Sequence, residues 1–208
     1  AGFSNANFNS IFNNSIFTFG NRSHGIHLNG PLSSNTVTGN SLNISTFGTV
    51  NGIYLNFDVD YSFFDANEIS ITGVSSENIR AFYVVSGSNF NTIKNMRIAT
   101  SSGLTSGWGL QVQDSHNTFE NISIKTEGSS ASAIRVIGLN LSFQSVEART
   151  LGGSARALSI LGPTPTDFIF IDGVLEALAL GTPDLGISTS VNGGVWNFTN
   201  VSYLKKNW

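Results

Sequence analysis

The chain has 208 residues, 40% of them apolar, a formal charge of −3 and only 10 Lys plus Arg, which suits one well-buried core and leaves no basic footprint for a nucleic-acid partner. Cysteine is absent, excluding disulfide frameworks and thiolate metal sites. No apolar run approaches the roughly 20 residues of a membrane span, while 24 Asn beside 22 Gly and 16 Phe point to many turns joining short buried strands.

Repeat-like text begins almost at once, in "NANFNSIFNNSIF" (5–17), and is clearest in "NTIKNMRIATSSG" (91–103) and "NTFENISIKTEG" (117–128). There Asn91 falls on Asn117, Ile93 on Phe119, Asn95 on Asn121 and Ile98 on Ile124. Extending the match in chain order gives one column of polar or small residues: Asn14, Asn40, Asn67, Asn95, Asn121, Ser145, Gly173 and Asn200. Apolar residues precede most of them (Val37, Phe64, Ile93, Phe119, Phe143, Ile171, Phe198), and others follow at Ile44, Ile71, Ile98, Ile124 and Ala148. Half a repeat away a small residue opens "GIHL", "GIYL", "AFYV", "GLQV", "AIRV", "ALSI" and "GIST", whose apolar leads are Ile26, Ile53, Phe82, Leu110, Ile134, Leu158 and Ile187.

Within each phrase apolar and polar residues alternate with period two, which predicts strands; only "GVLEALALG" (173–181) is ambiguous. Pro31, Pro163, Pro165 and Pro183 all fall between the apolar phrases, so none removes a ladder donor. A unit of this length cannot bury its apolar face alone and must stack on copies of itself. The expectation is an all-β parallel β-helix of about eight coils, roughly 26 residues each, and on the order of 40 Å long at about 4.8 Å per coil. Asn14, Asn40, Asn67, Asn95, Asn121 and Asn200 are read as an inward ladder in which each amide bonds the next coil, with Ser145 and Gly173 as interruptions. Residues 1–208 read as a single domain without obvious caps, with only Lys205 and Lys206 resembling edge gatekeepers. Such a chain is either a segment of a longer solenoid, or stacks end to end, or is capped by a partner.

With its "N-x-I-x-N-x-x-I" coils, the chain from about Asn9 to Tyr203 resembles the right-handed parallel β-helix proteins, the pectin-lyase-like group with PbH1-type repeats. The resemblance implies the fold and the right-handed winding. It leaves function open, because that group is similar to lyases, glycosidases, tailspikes, adhesins and silent surface proteins alike.

Catalytic residues are not expected. Asp65, Glu120 and Asp172 lie on non-adjacent coils, Lys94 beside Glu120 suggests a cross-strand ion pair, and Arg97 and Glu147 are separated by the coil of Ser123. No metal or other cofactor is expected, since His24 and His27 lack a third ligand at a recognisable spacing. The outward stripe of the second column is the candidate contact surface: His27, Tyr54, Tyr83, Gln111, Arg135, Ser159 and Ser188, joined by His24, Arg80, Trp108 and Arg156. Aromatic and hydrogen-bonding groups repeating along a rigid face suit a polysaccharide or a protein. Seven Asn-x-Ser/Thr sequons occur; Asn21, Asn43 and Asn140 are the expected acceptors, while Asn121 and Asn200 should be inaccessible within the ladder. The leading expectation is a non-catalytic, secreted or cell-surface β-helix that associates with copies of itself through its ends or its aromatic face into a filament, sheath or coat. The alternative is a polysaccharide-binding module, or a polysaccharide lyase or glycoside hydrolase.

Overall fold

The computed structural model describes residues 7–73, 78–85, 87–102, 107–161, 167–178, 185–187 and 195–205. Pro163, Pro165, Pro183, Ser188 and Lys206 lie outside the described residues. Among the described residues every regular element is a β-strand, including Phe168–Ala177, which takes in residues 173–177 of the segment whose pattern was ambiguous.

The alternation seen in the sequence is the reason. In Ser41–Thr46 the side chains alternate between solvent and interior, with Leu42 and Ile44 buried. Such a strand covers one face only and must pack the other way against a second layer. In the first sheet Ser10–Phe12, Thr36–Thr38, Phe63–Asp65, Thr92–Ser102, Thr118–Glu127, Leu141–Thr150, Phe168–Ala177 and Trp196–Lys205 pair in that order. Ser15–Phe19, Ser41–Thr46 and Glu68–Gly73 continue its first three coils past a bend. The second sheet runs from His24–Asn29 through Val50–Asn56, Ile79–Val84, Gly107–Val112, Ser132–Val136 and Leu158–Ile160 to Leu185–Ile187. Leu32–Ser33 and Val59–Asp60 form a small third sheet. Each pairing is parallel and joins residues one coil apart, so the fold is an all-β parallel β-solenoid.

The solenoid makes about six turns, where eight coils were expected. Among the described residues, the second sheet beyond Phe168–Ala177 holds the three-residue strand Leu185–Ile187. The expected columns also slip. Leu158 pairs with Leu185, so Ile187 lies on Ile160. Phe143 pairs with Phe170 rather than Ile171, and Ile98 pairs with Ile69 rather than Ile71.

The slip corrects the asparagine ladder. Residues Asn13, Gly39, Ala66, Asn95, Asn121, Ser145, Asp172 and Asn200 all adopt left-handed φ between 51° and 66°, bending the first sheet at the same place in every coil. Asn14, Asn40 and Asn67 lie one residue after this bend and form an inward ladder: the backbone N–H and Nδ2 of Asn14 both donate to Oδ1 of Asn40 at 3.0 Å, and those of Asn40 to Oδ1 of Asn67 at 3.0 Å. Asn95, Asn121 and Asn200 instead sit on the bend itself and face solvent. Asn tolerates this left-handed geometry better than other non-glycine residues, so the same residue type serves two purposes in adjacent columns. Met96, Ile122, Val146, Gly173 and Val201 continue the inward row. A second ladder, which the sequence reading placed on the wrong Asn of the phrase, runs through Asn9, Asn35, Ser62, Asn91 and Asn117.

Between the sheets lies one continuous apolar core. Phe119, Phe143 and Phe170 stack along one of its columns, with ring centroids 4.9 Å apart for Phe119–Phe143 and 5.5 Å for Phe143–Phe170, while Phe64, separated from Phe119 by Ile93, meets Phe82 edge to face at 5.3 Å.

Candidate functional site

The second sheet positions the predicted stripe. Its register places His27 beside Tyr54 and Tyr54 beside Tyr83, then Tyr83 beside Gln111 and Gln111 beside Arg135. Arg80 lies beside Trp108 in the neighbouring column. Parallel pairing at this spacing forces like-directed side chains into stacking distance. His27 and Tyr54 stack with centroids 4.6 Å apart, and Tyr54 and Tyr83 at 5.2 Å with planes 5° apart. His24 packs edgewise at 5.3 Å from His27. The Arg80 guanidinium lies 4.6 Å from the Tyr83 ring and 5.1 Å from Trp108, and the Arg135 guanidinium lies 5.1 Å from Trp108.

The result is one stack of rings and guanidinium groups spanning five successive strands of the second sheet, from His24–Asn29 to Ser132–Val136. Gln111 belongs to it differently from expectation: its side chain is only 1% exposed and its Oε1 accepts from Arg80 Nε at 2.9 Å, so it supports the guanidinium from beneath. Tyr54 Oη donates to Asn56 and Tyr83 Oη to Gln113, fixing both rings. Ser159, next along the row, is buried.

Burial sets the electrostatics. Desolvation pushes both His24 and His27 below the ordinary histidine value, and for His24 the neighbouring His27 adds to the effect. The Asn51 backbone N–H donates to His24 Nδ1 at 3.3 Å, which assigns the ring proton to Nε2 in the neutral form. Desolvation raises Tyr54 and lowers Arg80 and Arg135. Faces of Tyr54 are covered on both sides by stacked neighbours, so the stripe offers solvent its ring edges, hydroxyls and guanidinium nitrogens.

The other candidate groups stay apart. Arg97, Ser123 and Glu147 follow one another on the outer face of the first sheet, lining a groove of about 550 Å³ beside the bend. Lys94 is in register with Glu120 but makes no ion pair with it; its ammonium lies 5.0 Å from the Phe63 ring. Arg149 instead bridges Glu147 and Glu176. Among the described residues no three His, Asp or Glu side chains converge as a metal set would. Asn21, Asn43 and Asn140 are exposed, and so are Asn121 and Asn200, contrary to expectation, because the bend turns them outward.

A second stack escaped the sequence reading. Ser34, Tyr61, Phe90, His116 and Asn140 share a second left-handed bend. Tyr61 and Phe90 stack at 5.1 Å, and Phe90 and His116 at 4.8 Å. The signal was a column of residues at coil spacing, hidden because its members differ in type. Outward aromatics also gather on the first coil, where Phe17 is 76% and Phe19 79% exposed.

No family model matches the chain, and no curated protein or solved structure gives a significant match.

Proposed function

We propose that the chain is a non-catalytic, structural β-solenoid of a secreted or cell-surface protein that associates with copies of itself coil upon coil. The observation that carries this reading is the likeness of the first and last described rungs of the first sheet. Asn13 and Asn200 make the same left-handed bend, at φ 51° and 52°. Adding one rung would set Ile11 on Phe198 and Ile16 on Tyr203, continuing two apolar columns. Ile11, Ile16 and Phe198 are only partly buried against the core, and Tyr203 is 46% exposed. A parallel coil of the same shape satisfies both surfaces without any change of strand direction, and such heterologous stacking does not close on itself.

Membership of the pectin-lyase-like group and its right-handed winding belong to the same proposal, supported by the repeat. The polysaccharide reading draws less from the stripe, because stacking on a sugar needs a ring face and the Tyr54 faces are already covered.

Electron microscopy of the purified chain across a concentration series, with mass photometry on the same samples, tests the association. Filaments that lengthen with concentration are expected, and Phe198→Asp should shorten them. Discrete monomers at every concentration would sink the reading.

A further inference from the structure

We propose that Arg80 and Arg135, mounted on the Trp108 ring, form a binding site for tetrahedral oxyanions, sulfate or phosphate. This goes beyond the structural reading and does not depend on it.

Both guanidinium groups are half-buried, and neither has a carboxylate partner among the described residues. The described ion pairs all lie on the first sheet. Arg80 uses Nε on Gln111, which leaves its terminal nitrogens without a protein acceptor among the described residues. Arg135 Nε is buried with no hydrogen-bond partner among the described residues. Two like charges partly withdrawn from water, where burial and then Arg135 lower Arg80 and burial lowers Arg135, in a chain of net charge −3, make an arrangement that an anion would relieve.

The geometry selects the kind of anion. Each guanidinium carbon is 5.1 Å from the Trp108 centroid, so the two are no more than about 10 Å apart. They reach this ring from coils on either side of it: Arg80 precedes Trp108 by one coil and Arg135 follows it by one. An ion held by both forks must present acceptors toward both coils, which a tetrahedral oxyanion does; a carboxylate, with its two oxygens in one plane, matches a single fork. Stacking on Trp108 and Tyr83 and the Gln111 contact hold the donors in place before any ligand arrives.

The test titrates the folded chain with sodium sulfate, and separately with glucose 6-sulfate, at ionic strength held constant with sodium chloride. Heat of binding and tryptophan fluorescence are the readouts, with Trp108→Phe identifying the reporter. Saturable binding is expected, weakened at least tenfold in Arg80→Gln and in Arg135→Gln, partly recovered in Arg135→Lys, and unchanged in the exposed control Arg22→Gln. Sulfate stabilises proteins generally, so only the difference between wild type and these variants counts. Tighter binding of glucose 6-sulfate assigns the site to an ester on a larger molecule, and equal binding assigns it to the free ion. Absence of saturable binding by either probe, or the same affinity in wild type and all Arg variants, would overturn the proposal; Arg135→Lys keeps the test decisive if a Gln variant does not fold.

Discussion

Asn67 Oδ1 accepts two hydrogen bonds from Asn40, from its backbone N–H and from its Nδ2, both at 3.0 Å, while Asn67 Nδ2 donates to the Val37 carbonyl at 2.8 Å. One buried amide thus makes three hydrogen bonds to the preceding coil. Asn67→Gly strands several buried groups, each worth about 1–3 kcal/mol when left unsatisfied, and should cost about 2–4 kcal/mol in urea denaturation. Asn121→Gly removes only exposed contacts and relieves a left-handed backbone, so it should stay within about 1 kcal/mol of wild type. Equal losses at both positions would contradict the register described above.

The stripe lends itself to a similar measurement. Tyr54 stacks on both sides, and aromatic pairs contribute about 0.5–1.5 kcal/mol each beyond area burial. Tyr54→Ala should therefore destabilise by about 1–3 kcal/mol. Tyr54→Phe keeps both stacks, loses only the hydroxyl bond to Asn56, and should cost about 1 kcal/mol or less. A change near zero for Tyr54→Ala would mean that the stack is an incidental surface feature.

The parallel solenoid and the stripe were legible because both are written as period: two residues along a strand, one coil between strands. What misled was residue identity. Asn67 and Asn95 look like successive members of one column, yet Asn95 is in register with Ala66 and Asn67 with Met96. Nothing local separates an Asn chosen for its amide from an Asn chosen for its tolerance of left-handed φ. The Tyr61–Phe90–His116 stack was illegible for the opposite reason, since its shared property is a backbone angle that Tyr and Phe seldom adopt. The pairing of Arg80 with Trp108 follows from adjacent coils, but the burial of Gln111 depends on how the guanidinium folds over it.

Stability should also depend on pH through the histidine pair. Burial depresses both His24 and His27 from 6.5, so the unfolded chain takes up protons at a higher pH than the folded one. Their contribution is fully present above about 6.5 and is lost as pH falls through the depressed folded values. Asp60, raised above its ordinary 3.8 mainly by burial, works in the opposite sense at lower pH. Chemical denaturation between pH 7.5 and 5 should show declining stability in wild type and a flatter profile in a His24→Gln, His27→Gln double variant. Identical slopes would mean that neither ring is protonated differently on folding.

The small residues Gly52 and Gly109, which open second-sheet phrases, sit in a tight corner. A Cβ on Gly109 would lie 2.2 Å from Ile124 Cγ2 and 2.8 Å from the Ala133 carbonyl oxygen, and one on Gly52 would lie 2.4 Å from the Ala81 carbonyl oxygen and 2.6 Å from Ile69 Cγ2. No left-handed φ is involved at either position; the constraint is space where the two sheets meet. One coil on from Gly109 the position is filled by Ala133, and there the partner of Ile124 in the first sheet is the smaller Ala148. Between these two coils the corner volume is divided differently between the sheets. Gly109→Ala should cost about 1–3 kcal/mol by overpacking, and Ile124→Ala about 2–5 kcal/mol by leaving a cavity. Together they reproduce the Ala133 and Ala148 combination, so the double variant should be more stable than the sum of the single losses predicts, by about 1 kcal/mol or more in a double-mutant cycle. Strict additivity would place the strain of Gly109→Ala on the Ala133 backbone instead of on Ile124.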